Sequence, residues 1–310
     1  ATTALPSALE QPSAIRPLAD GTTMVAGGPA RSHNSGPYSS GAKWVARFDA
    51  SGNPLAGFGS GGVLALGGAA ATYTPLIGPL GETFFIGETP PPSTGLFVEK
   101  YLSNGQPDTT FGAAGRSELL ANLSTGTYLG DYAGDSRRTF LKADRSLVFI
   151  ANNYLLGDCA NTIVTIAADG LSATTASICS PTGYFELRPL ALDTNDKLIT
   201  GEYSPFYFTR LVRRALDATP DTTFTPSGGG AQMAALADGR YVNWGGESDL
   251  TVLSTTGAVV TTVALGFDES LEDLTSLPDG GFLASGSGRL SGSFVRRYNS
   301  SGTLDTTWSG

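Results

Sequence analysis

Pro278-Asp-Gly280-Gly-Phe-Leu-Ala-Ser-Gly286 and then Phe294-Val-Arg-Arg-Tyr-Asn-Ser-Ser-Gly302 decide the fold. The first stretch places a Gly-type turn before an apolar run and ends on a glycine six residues past the turn. The second is another apolar run ending in another turn. Asp-Gly and Ser-Gly suit tight hairpins because those turns need positive φ. Each stretch therefore reads as one β-hairpin.

The same sentence is written six times. The first hairpin recurs as Leu18-Ala-Asp20-Gly21 to Gly27, Pro79-Leu-Gly81 to Gly87, Ala143-Asp-Arg145 to Ala151, Asp193-Thr-Asn195 to Gly201 and Ala237-Asp-Gly239 to Gly245. The second recurs at Trp44 to Gly52, Phe97 to Gly105, Ile163 to Gly170, Leu211 to Ala218 and Val252 to Gly257. Two hairpins per repeat make four antiparallel strands, the content of one propeller blade. Leu271, Leu274 and Leu277 have helical spacing, but the repeat register places them on a first strand.

The turn positions 21, 81, 145, 195, 239 and 280 lie 60, 64, 50, 44 and 41 residues apart, and 51 residues separate 280 from 21 around the termini. Residues 1–310 thus read as a single all-β domain, a six-bladed propeller of four-stranded antiparallel blades. The sixth repeat stops at Trp308-Ser-Gly310, so its outer strand is expected from Ala1-Thr-Thr-Ala-Leu5, closing the ring and removing an open edge.

Four repeats carry a further motif after the second turn: Gln106-Pro-Asp108-Thr-Thr-Phe111-Gly112, Thr219-Pro-Asp221-Thr-Thr-Phe224, Thr303-Leu-Asp305-Thr-Thr-Trp308 and Asn53-Pro-Leu55-Ala-Gly-Phe58-Gly59. This resembles the delta-60 repeat, whose pattern is roughly DGxxDxxFGxxG, a strand, then PDGKILVAG. Repeats three and five lack the motif, with Ala176 and Val263 where the aromatic belongs. The resemblance implies a bacterial exported β-propeller and carries no general catalytic residues. Read physically, the Asp closes an Asx-type turn and the aromatic wedges between neighbouring blades.

Composition narrows the function classes. The 310 residues are 40% hydrophobic and 15% charged, with 41 glycines and a net charge of -9. An acidic surface disfavours nucleic-acid or anionic-membrane partners, which need a basic field. No run of 18 apolar residues offers a membrane span. The start at Ala1 fits an exported chain, secreted or at the cell surface or periplasm, whose signal peptide has been removed. Cys159 and Cys179 flank the third repeat's second turn and would sit nearly opposite each other, which favours a disulfide in such a compartment.

Long connections fall at one end of the blades and short turns at the other, and function concentrates on long loops. The long-loop face collects Tyr128, Asp131, Tyr132, Phe206, Tyr207, Asp268 and Glu269 as candidate binding residues. Aromatics beside acids suit a protein epitope or a surface polysaccharide. Catalytic constellations are weak. His33 is the only histidine, and Gly57-Phe-Gly-Ser-Gly-Gly62 precedes a strand instead of a helix. Asp193-Thr-Asn-Asp196 resembles a calcium loop but falls on a turn. The sequence therefore leads to a non-enzymatic binding or assembly module with no cofactor and no metal. Glycan binding is the alternative, followed by a carboxylate-dependent glycoside hydrolase using the Asp268, Glu269, Glu272 and Asp273 cluster.

Overall fold

The computed structural model describes residues 12–28, 43–67, 73–88, 95–120, 127–128, 139–153, 161–179, 186–203, 208–227, 230, 232–245, 249–265, 269–288 and 292–308. Among them there is no helix, and the strands form six antiparallel sheets in chain order. The chain is an all-β, six-bladed β-propeller, as the repeats require. Two compact units organise it, Ala1–Thr175 and Ala176–Gly310.

In the first unit, blade one comprises β1 (Pro12–Pro17), β2 (Thr23–Gly27), β3 (Lys43–Phe48) and β4 (Val63–Gly67). Blade two comprises β5 (Tyr73–Ile77), β6 (Thr83–Glu88), β7 (Leu96–Tyr101) and β8 (Arg116–Leu120). Blade three holds β9 (Thr127–Tyr128), β10 (Thr139–Leu141), β11 (Leu147–Asn153), β12 (Asn161–Ile166) and β13 (Ala173–Ile178), the last reaching into the second unit. In the second unit, blade four has β14 (Glu186–Leu192), β15 (Leu198–Tyr203) and β16 (Phe208–Arg214). Blade five has β17 (Gln232–Ala235), β18 (Tyr241–Trp244), β19 (Asp249–Leu253) and β20 (Val259–Ala264). Blade six has β21 (Glu269–Ser276), β22 (Phe282–Gly288) and β23 (Gly292–Tyr298). Its expected closing strand, Ala1–Leu5, lies outside the described residues.

Apolar clusters form between successive blades. Phe84, Phe111, Leu147 and Val164 join blades two and three, and Leu250, Val252, Leu274 and Phe282 join blades five and six. Within each unit, side chains on one face of a sheet meet the neighbouring blade, because alternate strand residues face opposite ways. The glycine six residues past each first turn now has a reason. Gly27, Gly87 and Gly286 pair across the ladder with Trp44, Phe97 and Phe294. A Cβ on Gly87 would lie 2.4 Å from the Phe97 ring, so the aromatic lies down over a position that must be bare.

Three first strands carry one extra residue. The register slips between Pro12 and Ala14 in β1, between Pro189 and Ala191 in β14, and between Leu271 and Asp273 in β21. In blade three the first strand is split, β10 pairing with Leu147 to Phe149 and β9 with Asn152 and Asn153. Opposite the three slips on the second strand stand Gly27 and Ala26, Thr200 and Ile199, and Gly286 and Ser285, four to six residues past the first turn. Bulges of this kind re-aim side chains.

Candidate functional site

The two ends of the blades differ in chemistry, and the turn end is best defined. In blades one, two, four and six, the backbone N–H of the motif's first position donates to the carbonyl of a basic residue on the third strand. The pairs are Leu55 to Arg47, Asp108 to Lys100, Asp221 to Arg213 and Asp305 to Arg297, at 2.8–2.9 Å. Three residues on, the aromatic N–H of Phe58, Phe111, Phe224 or Trp308 donates back to Leu55, Asp108, Asp221 or Asp305.

Side chains then close an ionic clasp. Lys100 meets Asp108 at 2.8 Å, and Arg213 bonds Asp221 at 2.9 Å while standing 3.8 Å from Asp193 of the first turn. Arg297 reaches Asp279 of the first turn and lies 3.5 Å from Asp305 of the motif. In blade one, where Leu55 replaces the acid, Arg47 turns to Asp20. The motif-less blades three and five have Thr165 and Val252 in the ladder position of the base. Acid and base are lost together.

The turn-end acids are therefore scaffold. Asp108, Asp221 and Asp305 each accept from the Thr two residues later, through both its N–H and its hydroxyl. Asp193 accepts from the N–H groups of Asn195 and Lys197, both at 2.8 Å, so the calcium-like stretch closes a turn. Its other oxygen accepts from Tyr241, whose phenol burial pushes up to about 12. The aromatic wedge is also present: Phe111 packs so tightly on the next blade that a Cβ on Gly170 would come within 2.8 Å of its ring.

Asp108, Asp144, Asp221 and Asp305 are held low in the folded state. Bonds from Lys197 and then Thr223 lower Asp221, and Thr307 lowers Asp305. Ser146 brings Asp144 to about 2, and for Asp108 the bonds from Lys100 and Thr110 outweigh burial, which acts upward. A depressed folded pKa contributes stability above the unfolded value, near 3.9, and loses it as pH falls through the folded value. The melting temperature is accordingly expected to hold from pH 7 to about 5 and fall below about pH 4. Scanning calorimetry from pH 7 to 2 tests this, and Asp221→Asn should flatten the acid limb. A midpoint independent of pH down to 3 would contradict it.

The loop end differs. Of the candidate residues there, Asp131, Tyr132, Phe206, Tyr207 and Asp268 lie outside the described residues, as does Cys159. Tyr128 belongs to β9, where its backbone pairs with Asn152. Glu269 opens β21, and its side chain is only 3% exposed. Arg296 of β23 reaches across β22 to hold both of its oxygens, at 2.7 and 2.6 Å, which raises the Arg296 pKa. The Arg296 guanidinium also lies 4.6 Å from the centre of the Phe294 ring. Of the rest of the acidic cluster, Asp273 accepts from the Thr275 hydroxyl at 3.3 Å. Sequence reasoning missed Arg296 and Phe294. The signal was present as the cation two residues after the strand aromatic in Phe294-Val-Arg296.

Comparison with known proteins places this geometry. No family model matches the chain, and no curated protein matches it. Solved structures do. A streptogramin B lyase aligns at a TM-score of 0.52 and 14% identity, over 97% of this chain and 84% of that one. A puromycin hydrolase aligns at 0.56 and 16%, over 96% of this chain and 53% of that one. Prolyl oligopeptidase B from Galerina marginata aligns at 0.58 and 11%, over 93% and 40%. The chain thus spans about half of the hydrolase or less than half of the peptidase. At such identities the likeness shows the fold alone. The expectation of a non-enzymatic chain does not stand against it, because similar propellers occur in a lyase, a hydrolase and a peptidase. Weak catalytic constellations were a poor ground for that expectation, since function lives in particular sites that neither fold nor fixed spacing dictates.

Proposed function

We propose that the chain recognises a protein or a surface polysaccharide through the loop end of its blades. One observation carries the reading: the turn-end acids are consumed by turn closure and ionic clasps, so the surface left for an external partner is the other end. Rigid strands bearing long connections suit recognition, whether the partner is only held or also transformed. The resemblance to delta-60 repeats supports an exported bacterial setting. A Cys159–Cys179 disulfide belongs to the same proposal, and among the described residues no cysteine is free.

The test is a cross-linked pull-down from the native source with the wild-type chain and the Tyr128→Ala, Tyr132→Ala, Phe206→Ala variant as parallel baits. A partner enriched by the wild type and lost, at least tenfold, from the variant is the expected result, with the melting temperature little changed. Equal enrichment by both would refute the loop-end assignment. Chromatography of the partner after incubation reads turnover in the same samples, and Asp268→Asn shows whether any cleavage depends on that carboxylate.

A further inference from the structure

Resting on that reading, we infer that the loop-end edge between blades five and six is a subsite for a neutral pyranose ring, built on Phe294, Arg296 and Trp244. The aromatic position opposite the repeat glycine is filled three times. Trp44 and Phe97 are each 1% exposed there, whereas Phe294 is half-buried and leaves part of its ring accessible. Trp244, at the end of β18, is half-buried as well, and both rings pack against the apolar cluster joining blades five and six. Around Phe294 the strand positions are Gly286, Gly288 and Gly292, which place no side chain beside the ring.

Arg296 selects the ligand's charge. Its side chain is 31% exposed, with the guanidinium 4.6 Å from the centre of the Phe294 ring and held by both oxygens of a carboxylate that water barely reaches. A bidentate pair of this kind cancels the cation's charge while fixing its plane. The surface offered is apolar, with guanidinium N–H donors at its edge whose charge Glu269 offsets. Phosphates and uronates gain nothing there, and the chain's net charge of -9 disfavours them further. A sugar whose equatorial hydroxyls leave a flat C–H face meets both requirements, stacking on a ring and accepting bonds at its rim.

The probes are tetrasaccharides of β-1,4-linked glucose and of β-1,4-linked N-acetylglucosamine, with a uronate tetrasaccharide for comparison. Binding is read by titration calorimetry and by tryptophan emission. The wild type is expected to bind at least one neutral probe with a shift in emission, and Trp244→Phe to abolish most of that shift. Phe294→Leu, which keeps the apolar packing, should weaken binding at least fivefold with the melting temperature nearly unchanged. Equal affinity in Phe294→Leu, a preference for the uronate, or no binding of either neutral probe would each overturn the subsite. The Tyr128, Tyr132 and Phe206 variant separates the two proposals. If partner capture in the pull-down depends on those residues while Phe294→Leu behaves as wild type, the loop-end reading stands and the subsite fails.

Discussion

Arg213→Met is expected to destabilise the protein by about 3–5 kcal/mol and to lower its melting temperature by roughly 10 °C. The side chain is 8% exposed. It bonds Asp221 at 2.9 Å, the Tyr241 hydroxyl at 3.0 Å, the Thr255 carbonyl at 2.6 Å and the Thr223 hydroxyl at 3.3 Å, and it lies over the Phe224 ring. Methionine fills much of the volume but leaves Asp193, 1% exposed, without its nearby cation. The loss comes from stranding a buried charge, since intact buried pairs add little net stability. Arg297→Met in blade six is the control. There the side chain is 34% exposed, and removal should cost under about 1 kcal/mol. Urea titrations of both variants decide the matter, and equal losses would show that burial is not what matters.

Phe111→Ala should cost about as much, in the range of ~3–5 kcal/mol for a fully buried ring, but its effect should appear in the wrong blade. Phe111 lies in the β7–β8 connection of blade two, yet it packs against Gly170 of blade three's second turn, and the next N–H, from Gly112, donates to Asp169 at 2.7 Å. It also meets Phe84 edge-on at 6.1 Å, with Lys100 over its ring. Removing it should open the β12–β13 hairpin before the first hairpin of blade two. Amide exchange by mass spectrometry reads this, with protection expected to fall first in peptides spanning 161–178. Uniform loss across blades two and three would show that the wedge serves both equally.

The fold was legible because turn chemistry repeats. Positive φ at Gly21, Gly81, Gly239 and Gly280, and also at Arg145 and Asp196, occurs at or beside the turn positions the repeat picks out. The motif was legible too, and its reading as turn closure plus wedge matches the bonds found at Asp108 and Phe111. The site was less so, for a reason visible in β21. Leu271 and Leu274 both face the cluster between blades five and six although they are three residues apart. The extra residue between Leu271 and Asp273 reverses the strand's phase. Counting by twos from Leu274 puts Glu269 on the opposite face, away from blade five. The bulge turns it into the space between blades, onto Arg296. The helical spacing of those leucines is the sequence trace of that bulge, and only a ladder reveals it.

The wedge also bears on how such a chain can grow. Blades three and five lack both motif and base, and each receives its clamp from the blade before it: Gly112 N–H to Asp169 and Thr225 N–H to Thr256. A motif-less blade is thus a dependant, and copying it alone would leave its successor without this clamp, held only by contacts such as the apolar cluster and the Arg240 bond to the Ser300 carbonyl that join blades five and six. The smallest segment that can be duplicated without loss is a motif-bearing blade together with its follower. Gene-level expansion of this architecture should therefore proceed in pairs wherever a motif has decayed, and one blade at a time only where it survives.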